Sequence, residues 1–239
     1  MRMRGLGASP VAIGCLQGIY SGVVDGAVTP LFGVVSATFG RYREVESGFE
    51  IRSAELAYFT DLDSHSVLDT WKNPYTNETV PVPVSSLPPT TSRIATNLRM
   101  DSQAANTPGL QFRQNVSQPQ IVGREIWFTE SITAERDAGP TQAAFHYTDT
   151  TVIRARLADL DKHGATLTRC DTSYQSVSSW RTWLKMGSHP GVLIGFGNGY
   201  YGASINELPP AWIKATEKSR PRLLTDPTGI LEAGDYQAR

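Results

Sequence analysis

Several features that would identify a protein class at once are scarce in this chain. Its 239 residues include 2 cysteines, Cys15 and Cys170, too few for a disulfide scaffold or a thiolate zinc site. Whether these two pair is left open. The 22 Lys and Arg residues are balanced by 23 Asp and Glu, for a net charge of −1, so no positive field attracts a nucleic acid. No run reaches the ~18 apolar residues of a membrane-spanning helix.

A clear export signal is also lacking. Arginines precede an apolar stretch near the start, as in a signal peptide, but Ser9, Pro10 and Gly14 interrupt it and no small-x-small cleavage site follows. The sequence therefore predicts a cytoplasmic protein that binds neither nucleic acid nor membrane, and it leaves homodimer formation open.

What the chain does have is the composition of a globular protein with many turns. Hydrophobic residues make up 40% and charged residues 19% of the sequence, with 21 Gly and 15 Pro. We predict a single β-rich domain over residues 1–225, with an irregular, lid-like insertion at 85–120 that is rich in Ser, Thr, Pro, Asn and Gln. An irregular tail is predicted at 226–239.

Short extended segments joined by turn residues indicate the fold class. Segment 51–59 alternates between two partly apolar faces, one of which carries Ile51, Ser53, Glu55, Ala57 and Phe59. Asp25-Gly26 marks a turn, residues 67–84 have a strand-turn-strand pattern, and short helices are predicted at 178–187 and 209–218. The pattern predicts a mainly β protein, an antiparallel barrel or strongly curved sheet of lipocalin-like size with short C-terminal helices.

Asp61, Asp63 and His65 alternate at strand spacing, which raises the question of a metal site. A calcium loop would need more oxygen ligands and a terminal Glu, and zinc would need a second nitrogen or sulfur donor. Asp and Ser side chains commonly bond to nearby backbone amides in turns. The sequence favours a turn here and predicts no metal.

The segment GNGYYG, residues 197–202, matches the G-x-G-x-x-G pattern of a dinucleotide site. That pattern needs a helix directly after it, whose N-terminus binds the phosphates, but extended residues and prolines follow here. Asn198-Gly199 is a preferred centre of a two-residue hairpin. We therefore predict a hairpin and no cofactor.

Local signatures of a catalytic nucleophile are absent, since there is no Gly-x-Ser-x-Gly and the histidines form no close ligand pair. Ionisable side chains in strand-like runs are candidates for acid–base catalysis if a barrel turns them inward, because burial shifts their pKa values. These candidates are Glu130, Glu55, Tyr58 and His146, with Asp61 added from the turn after 51–59. The candidate substrate-binding side chains are Trp71, Trp127, Phe145, Trp183 and Met186. For each of these residues a structural role is the alternative.

Three segments resemble a known family: AELAYFTD, VLDTWKNPYTNETV and WLKMGSHPGVLIGFGNGYYGASINELPP. They are similar to the bacterial and fungal family catalogued as domain of unknown function 1838. The likeness is specific at Asp61, Leu68, Trp71, Asn73, Pro74, Trp183, Met186, Gly187, Pro190 and Gly191. Relatives often have Asp-Pro-x-Thr-Gly-Glu where this chain begins its Asp-x-Asp-x-His run, so the resemblance implies that the run is not a family metal site. It implies no activity.

The sequence leads to an enzyme hypothesis with two alternatives. The first expectation is a cofactor-independent isomerase, cyclase or lyase that acts on an apolar or aromatic small molecule by proton transfer inside a β-barrel pocket. A non-catalytic carrier would use the same pocket. A structural or partner-binding domain would have a filled core instead. A cavity with two ionisable groups within hydrogen-bond reach favours the enzyme.

Overall fold

The fold is a strongly curled antiparallel β-sheet with short helices near the C-terminus. The structure, a computed structural model, describes residues 11–102, 109–139, 144–161 and 167–236. The strands in these residues are β1 (Ala12–Val24), β2 (Ala27–Val45), β3 (Gly48–Thr60), β4 (Thr70–Lys72), β5 (Thr79–Pro81), β6 (Ser85–Ala95), β7 (Met100–Ser102), β8 (Gln111–Val116), β9 (Gln120–Val122), β10 (Glu125–Arg136), β11 (Phe145–Arg156), β12 (Cys170–Ser178) and β13 (Val192–Ala203). The α-helices are α1 (Leu157–Leu160), α2 (Pro210–Ser219), α3 (Arg222–Thr225) and α4 (Pro227–Ala233).

One 11-stranded sheet contains all of these strands except β4 and β5, in the order β7-β6-β3-β2-β1-β13-β12-β11-β10-β8, with β9 also paired to β10. The sheet curls into a half-barrel. Within the described residues, an isolated β-bridge between Arg99 and Asn115 joins its two edges. The predicted fold class, a mainly β protein with a strongly curved antiparallel sheet and short C-terminal helices, is confirmed.

Tight turns and alternating side chains explain why the first strands form. Asp25 and Gly26, with φ of +50° and +81°, connect β1 to β2 as a two-residue hairpin loop, as the sequence predicts. Along β3, Glu55 and Phe59 point into the half-barrel, whereas Leu56 and Tyr58 point outward into a buried cluster. Both faces of this strand are therefore covered, which matches its two apolar faces.

The predicted hairpin at Asn198-Gly199 is wrong. β13 runs without interruption from Val192 to Ala203 and pairs with both β1 and β12, so this dipeptide lies in the middle of a strand. The glycines serve close packing instead. A Cβ on Gly195 would lie 2.6 Å from the Tyr20 ring and 2.7 Å from the Ser176 hydroxyl. The absence of a Cβ on Gly195 therefore leaves room for the Tyr20 ring against β13.

Gly199 allows an even closer approach, between β13 and β1. A Cβ at this position would overlap the carbonyl oxygen of Cys15, which is backbone and cannot rotate away. We expect Gly199→Ala to lower the free energy of unfolding by about 1–3 kcal/mol, the usual cost of overpacking. Urea unfolding measures the loss. Gly139→Ala is the control, because no described heavy atom lies within 4 Å of its Cβ position. Equal stability of the two variants would contradict this packing.

The segment 85–120 differs from the irregular insertion that its composition predicts. It contains β6, β7 and β8, although residues 103–108 lie outside the described part of the chain. Ser53 pairs with Thr90 and Glu55 with Leu87, so the intervening Pro88 and Pro89 form a bulge in the β3–β6 ladder. The bulge accommodates two residues that cannot donate ladder hydrogen bonds. Pairing with β3 therefore outweighs the weak local strand propensity.

The helices also differ in part from expectation. The helix predicted at 209–218 is confirmed as α2. Residues 178–187 contain only a 3₁₀ turn, Thr182–Leu184, because β12 continues to Ser178 and Lys185 adopts a left-handed conformation. The predicted irregular tail includes α4, whose first turn is capped by the Asp226 carboxylate accepting from the Gly229 amide at 2.9 Å.

Helices α2 to α4 cover the outer face of β2 and β3. Trp212 is fully buried between them and the sheet, and its indole N–H donates to the Leu56 carbonyl at 2.7 Å. The surrounding cluster contains Phe39, Leu56, Tyr58, Leu223, Ile230 and Leu231. This cluster, and not the inside of the half-barrel, is the main apolar core.

A second cluster closes one end of the half-barrel, and we call it the end plug. It is formed by Phe32, Phe59, Trp71, Trp183, Leu184 and Met186. Strands β4 and β5 form the predicted hairpin, whose turn holds Asn73. The Asn73 amide is fully buried, donates to the Leu184 carbonyl at 2.7 Å and accepts from the Tyr75 amide at 2.9 Å. The hairpin is thereby fixed to the 182–186 segment.

Candidate functional site

The inside of the half-barrel contains a cavity of about 600 Å³. Its walls alternate apolar side chains with polar ones. The apolar lining includes Leu16, Val34, Phe59, Phe112, Ile132 and Phe145. The ionisable lining includes Glu55, Glu130, Asp149, Tyr20, Tyr147, Tyr174 and Arg181. Three carboxyl groups inside one apolar hollow are unusual, because burying an uncompensated charge is costly.

Strands β11, β12 and β1, the last two separated by β13, place four of these groups in a row. The Tyr147 hydroxyl donates to Asp149 Oδ2 at 2.7 Å, and both residues project inward from β11 at alternate positions. The Tyr174 hydroxyl on β12 lies 3.0 Å from the Tyr147 hydroxyl, and the Tyr20 hydroxyl on β1 lies 3.4 Å from that of Tyr174. We call this row, with its carboxyl end, the tyrosine row.

The hydrogen bonds of the tyrosine row all run in one donor-to-acceptor direction. The Tyr147 hydroxyl donates its proton to Asp149, so its oxygen accepts from Tyr174. The oxygen of Tyr20 accepts from Arg181 Nη2 at 3.2 Å, which leaves the Tyr20 proton for Tyr174. The hydrogen bonds therefore run from the guanidinium through three phenols to the carboxyl group of Asp149.

Burial raises the pKa of Asp149 to about 6, although the hydrogen bond from Tyr147 opposes the shift. The nearby charges of Glu55 and Glu130 raise this pKa further. Burial also raises the pKa of Tyr147 well above its ordinary value, and that of Tyr174 as well. Around pH 6 both protonation states of Asp149 are therefore populated, while the phenols of Tyr147 and Tyr174 stay protonated donors.

Glu55 lies on β3 in the same cavity. Burial raises its pKa, and this is partly offset by the Ser36 hydroxyl, which donates to Oε1 at 2.8 Å, and by the positive charge of Arg181. The cavity thus contains two acids whose pKa values are raised by burial and which are each held by a hydroxyl donor. Such a pair of acids can take and give protons at separate places on one bound molecule.

The structure brings only some of the candidate side chains together. Glu55, Glu130 and Phe145 line the cavity. Tyr58 points the other way, under α2, where its hydroxyl lies 2.6 Å from Ser219 Oγ and 3.2 Å from Thr216 Oγ1. His146 is exposed, because it alternates with Phe145 and Tyr147 along β11.

Asp61 lies outside the cavity and shapes a turn, as its sequence context predicts. Its Oδ1 accepts from the amide and the hydroxyl of Ser64, each at 2.8 Å, and these bonds lower the pKa of Asp61. His65 has a φ of +55° in the same turn and is exposed. No three His, Cys, Asp or Glu side chains of the described residues converge as metal ligands.

The predicted substrate-binding aromatics are also divided. Trp71, Trp183 and Met186 belong to the end plug, and Trp183 lies 5.2 Å from the ring of Phe59, which does line the cavity. Trp127 alternates with the inward residues of β10, and its indole N–H donates to Glu125 on its own strand at 3.0 Å. These tryptophans therefore pack outside the cavity and are not among the described residues that line it.

Sequence reasoning missed Tyr20, Tyr147, Asp149, Tyr174 and Arg181. A signal for two of them was present, since Phe145 was a candidate and the alternation along 145–151 puts Tyr147 and Asp149 on its face. The other three come from strands or turns far away in the sequence. Only the pairing of β1, β13, β12 and β11 brings them together.

A second hollow of about 1000 Å³ lies outside the sheet, between the 62–69 loop, residues 82–84 and α2. Besides the buried Tyr58, its ionisable lining side chains are His65, Asp69, Lys214 and Lys218, and these four are exposed. Exposed charges of this kind are ordinary surface groups. The three carboxyl groups of Glu55, Glu130 and Asp149, by contrast, lie inside the half-barrel.

Fold and cavity together define a curled β half-barrel with an acid-containing hollow. The chain belongs to the family described as "Protein of unknown function (DUF1838)", whose model matches residues 15–238. A search among curated proteins returns no relative that matches. No helix in the described residues is long and apolar enough to cross a membrane. Both cysteines are buried, and they do not form a disulfide with each other.

Several of the residues that carry the family resemblance lie in the end plug or contact it. Trp71 and Asn73 come from the hairpin, and Trp183 and Met186 from the segment after β12. The Trp71 and Trp183 rings lie 6.2 Å apart, and Asn73 Nδ2 lies 3.2 Å from the Met186 sulfur. The second and third segments of the resemblance thus contact each other in the structure.

Proposed function

We propose that the protein is an enzyme that transfers protons on a small apolar or aromatic molecule held in the half-barrel cavity. It would act as an isomerase, cyclase or lyase that needs no cofactor. The observation that carries the proposal is the Tyr147–Asp149 hydrogen bond of 2.7 Å inside a cavity of about 600 Å³. A volume of this size matches small-molecule sites, and two ionisable groups in contact suit proton transfer.

In this proposal Asp149 is the general base. Its carboxylate takes a proton from a C–H or O–H bond of the substrate, and the electron pair left behind moves into the substrate. Glu55, whose pKa burial also raises, returns a proton to another atom of the same molecule. An isomerisation or cyclisation of this kind has no net proton change, and exchange with solvent resets both acids.

The tyrosine row supports the base in two ways. Tyr147 fixes the Asp149 carboxyl group in one orientation, and Tyr174 in turn fixes Tyr147. The phenols and the apolar walls also keep bulk water from hydrating the carboxylate, which keeps its basicity matched to neutral pH. We therefore assign Asp149 and Glu55 to proton transfer and Tyr147 and Tyr174 to positioning.

Native mass spectrometry of the purified protein tests this function. We expect a retained small molecule, or uptake of one from a panel of aromatic and apolar compounds. Incubation of that molecule with the protein in D₂O should then introduce deuterium at carbon or yield a product of equal mass or of cleavage. A ligand that binds but stays unchanged and undeuterated would favour the carrier. Binding of no panel compound would contradict both.

A further inference from the structure

The guanidinium of Arg181 is a half-buried charge that lines the cavity. Its Nη2 donates to the Tyr20 hydroxyl at 3.2 Å, while its Nε is buried and has no partner. The group lies over two rings, 5.3 Å from the centroid of Tyr20 and 5.6 Å from that of Phe59. A guanidinium has five N–H donors and stays charged at all physiological pH values.

The charge of Arg181 acts on Glu55, whose pKa it lowers, but no carboxylate in the described part of the chain is in direct contact with it. Arg181 forms no ion pair there with N···O within 4.0 Å. Glu55 and Asp149 each receive a hydrogen bond from a hydroxyl, from Ser36 and Tyr147 respectively. Among the described lining residues Arg181 is the one Lys or Arg. A half-buried cation that lines an apolar cavity and has no carboxylate in contact favours a negatively charged guest.

The position of Arg181 is fixed before any ligand arrives. It directly precedes the 3₁₀ turn Thr182–Leu184, and its carbonyl accepts from the Leu184 amide at 3.0 Å. Leu184 is fully buried, and Trp183 packs in the end plug. A side chain held by its neighbours loses little conformational entropy on binding, so its contribution to affinity is large.

We propose that the substrate carries a carboxylate, and that Arg181 binds this group at the end of the cavity next to Tyr20. This deepens the function proposed above and rests on the same ligand site. The carboxylate would take the free donors of the guanidinium, while the apolar body of the molecule extends along the Phe59 wall towards Asp149. Arg181 is then a specificity-determining residue. The substrate is selected by the charge at its Arg181 end and undergoes proton transfer at its Asp149 end.

Isothermal titration calorimetry with three matched probes tests the inference. The probes are 2-naphthoate, 2-naphthamide and 2-naphthylmethylamine, which share one aromatic body and carry a negative, no and a positive charge. We expect the wild-type protein to bind the naphthoate about tenfold or more tightly than the naphthamide, the value of one good charge-assisted contact. Arg181→Gln should remove this preference. Arg181→Lys, which keeps the charge but loses the fork, should keep part of it.

Arg154→Gln is the control, because Arg154 is exposed on the outside of β11 and pairs only loosely with Asp171, at 3.7 Å. It should leave the preference unchanged. Equal affinity for naphthoate and naphthamide, a preference that survives in Arg181→Gln, or tighter binding of the amine would each overturn the inference. Equal affinities would leave the proposed function standing, whereas no binding of any probe would remove the ligand site and the inference together.

Discussion

Replacing Asp149 with Asn is expected to lower the rate of deuterium incorporation into the bound substrate by about 10²–10⁴-fold, the usual contribution of a general base. Asn keeps the shape of the side chain and accepts the Tyr147 hydrogen bond, so the cavity is preserved. What it loses is the basic carboxylate. The rate is measured by mass spectrometry in D₂O with the molecule that the wild-type protein binds.

The control for this loss is Asp171→Asn. Asp171 lies on β12, and its side chain is 66% exposed. The Asp171→Asn variant should retain the full wild-type rate of deuterium incorporation. An Asp149→Asn variant that exchanges deuterium as fast as the wild type would remove Asp149 from the mechanism, and a matching loss in Asp171→Asn would show that the effect is not local.

Stability separates a chemical defect from misfolding in the same variant. The pKa of Asp149 is about 6 in the folded protein and 3.8 is its ordinary value, so the folded state binds this proton more tightly than the unfolded chain does. Stability is therefore lost as the pH rises from about 4 to about 6, by up to ~3 kcal/mol. The amide of the Asp149→Asn variant does not titrate. This variant should match the wild type near pH 4 and be at least as stable above pH 6.

Replacing Trp212 with Ala is expected to lower the free energy of unfolding by about 3–5 kcal/mol, as for other fully buried large aromatics. The indole is 0% exposed and packs against Phe39 and Tyr58, with ring centroids 6.0 and 6.3 Å away. Truncation leaves a cavity between α2 and the sheet and removes the hydrogen bond to the Leu56 carbonyl. Equilibrium urea unfolding measures the change.

Trp127→Ala is the matched control for this substitution. Trp127 is only partly buried, and its indole bonds to Glu125 on the same strand. We expect a loss well below that of Trp212→Ala. If the two variants lost the same stability, the cluster beneath the helices would not be the main core. Glu55 lies next to Leu56 on β3, so Trp212→Ala should also disturb the cavity from outside.

Local alternation predicts the fold class and part of the site. The pattern of β3 puts Glu55 and Phe59 on one face and Tyr58 on the other, which is how the structure has them. The same rule applied to 145–151 separates His146 from Asp149. Period-two spacing predicts which side chains share a face of a strand, but it does not predict which face lines the cavity. That depends on where the helices pack.

Other features depend on contacts between distant segments, and no local pattern reveals them. Pro88 and Pro89 look like loop residues, yet pairing with β3 makes them a bulge in a strand. Asn198-Gly199 is a good turn sequence, yet β1 and β12 pair with it on both sides. The tyrosine row needs four strands in register, because β13 pairs between β12 and β1. By contrast, the start of α4 has a local signal that the prediction of an irregular tail overlooked, since Asp226 before Pro227 is a typical helix start.

A carbon-13 NMR titration of the Asp149 side-chain carboxyl tests the central claim of a proton-transfer group held in the hollow most directly. We predict a pKa of about 6 for this group in the wild-type protein. Tyr147→Phe should raise the pKa further, because the phenol stabilises the ionised carboxylate. A pKa near the ordinary 3.8, unmoved by Tyr147→Phe, would mean that water reaches this carboxyl group freely and would contradict the account.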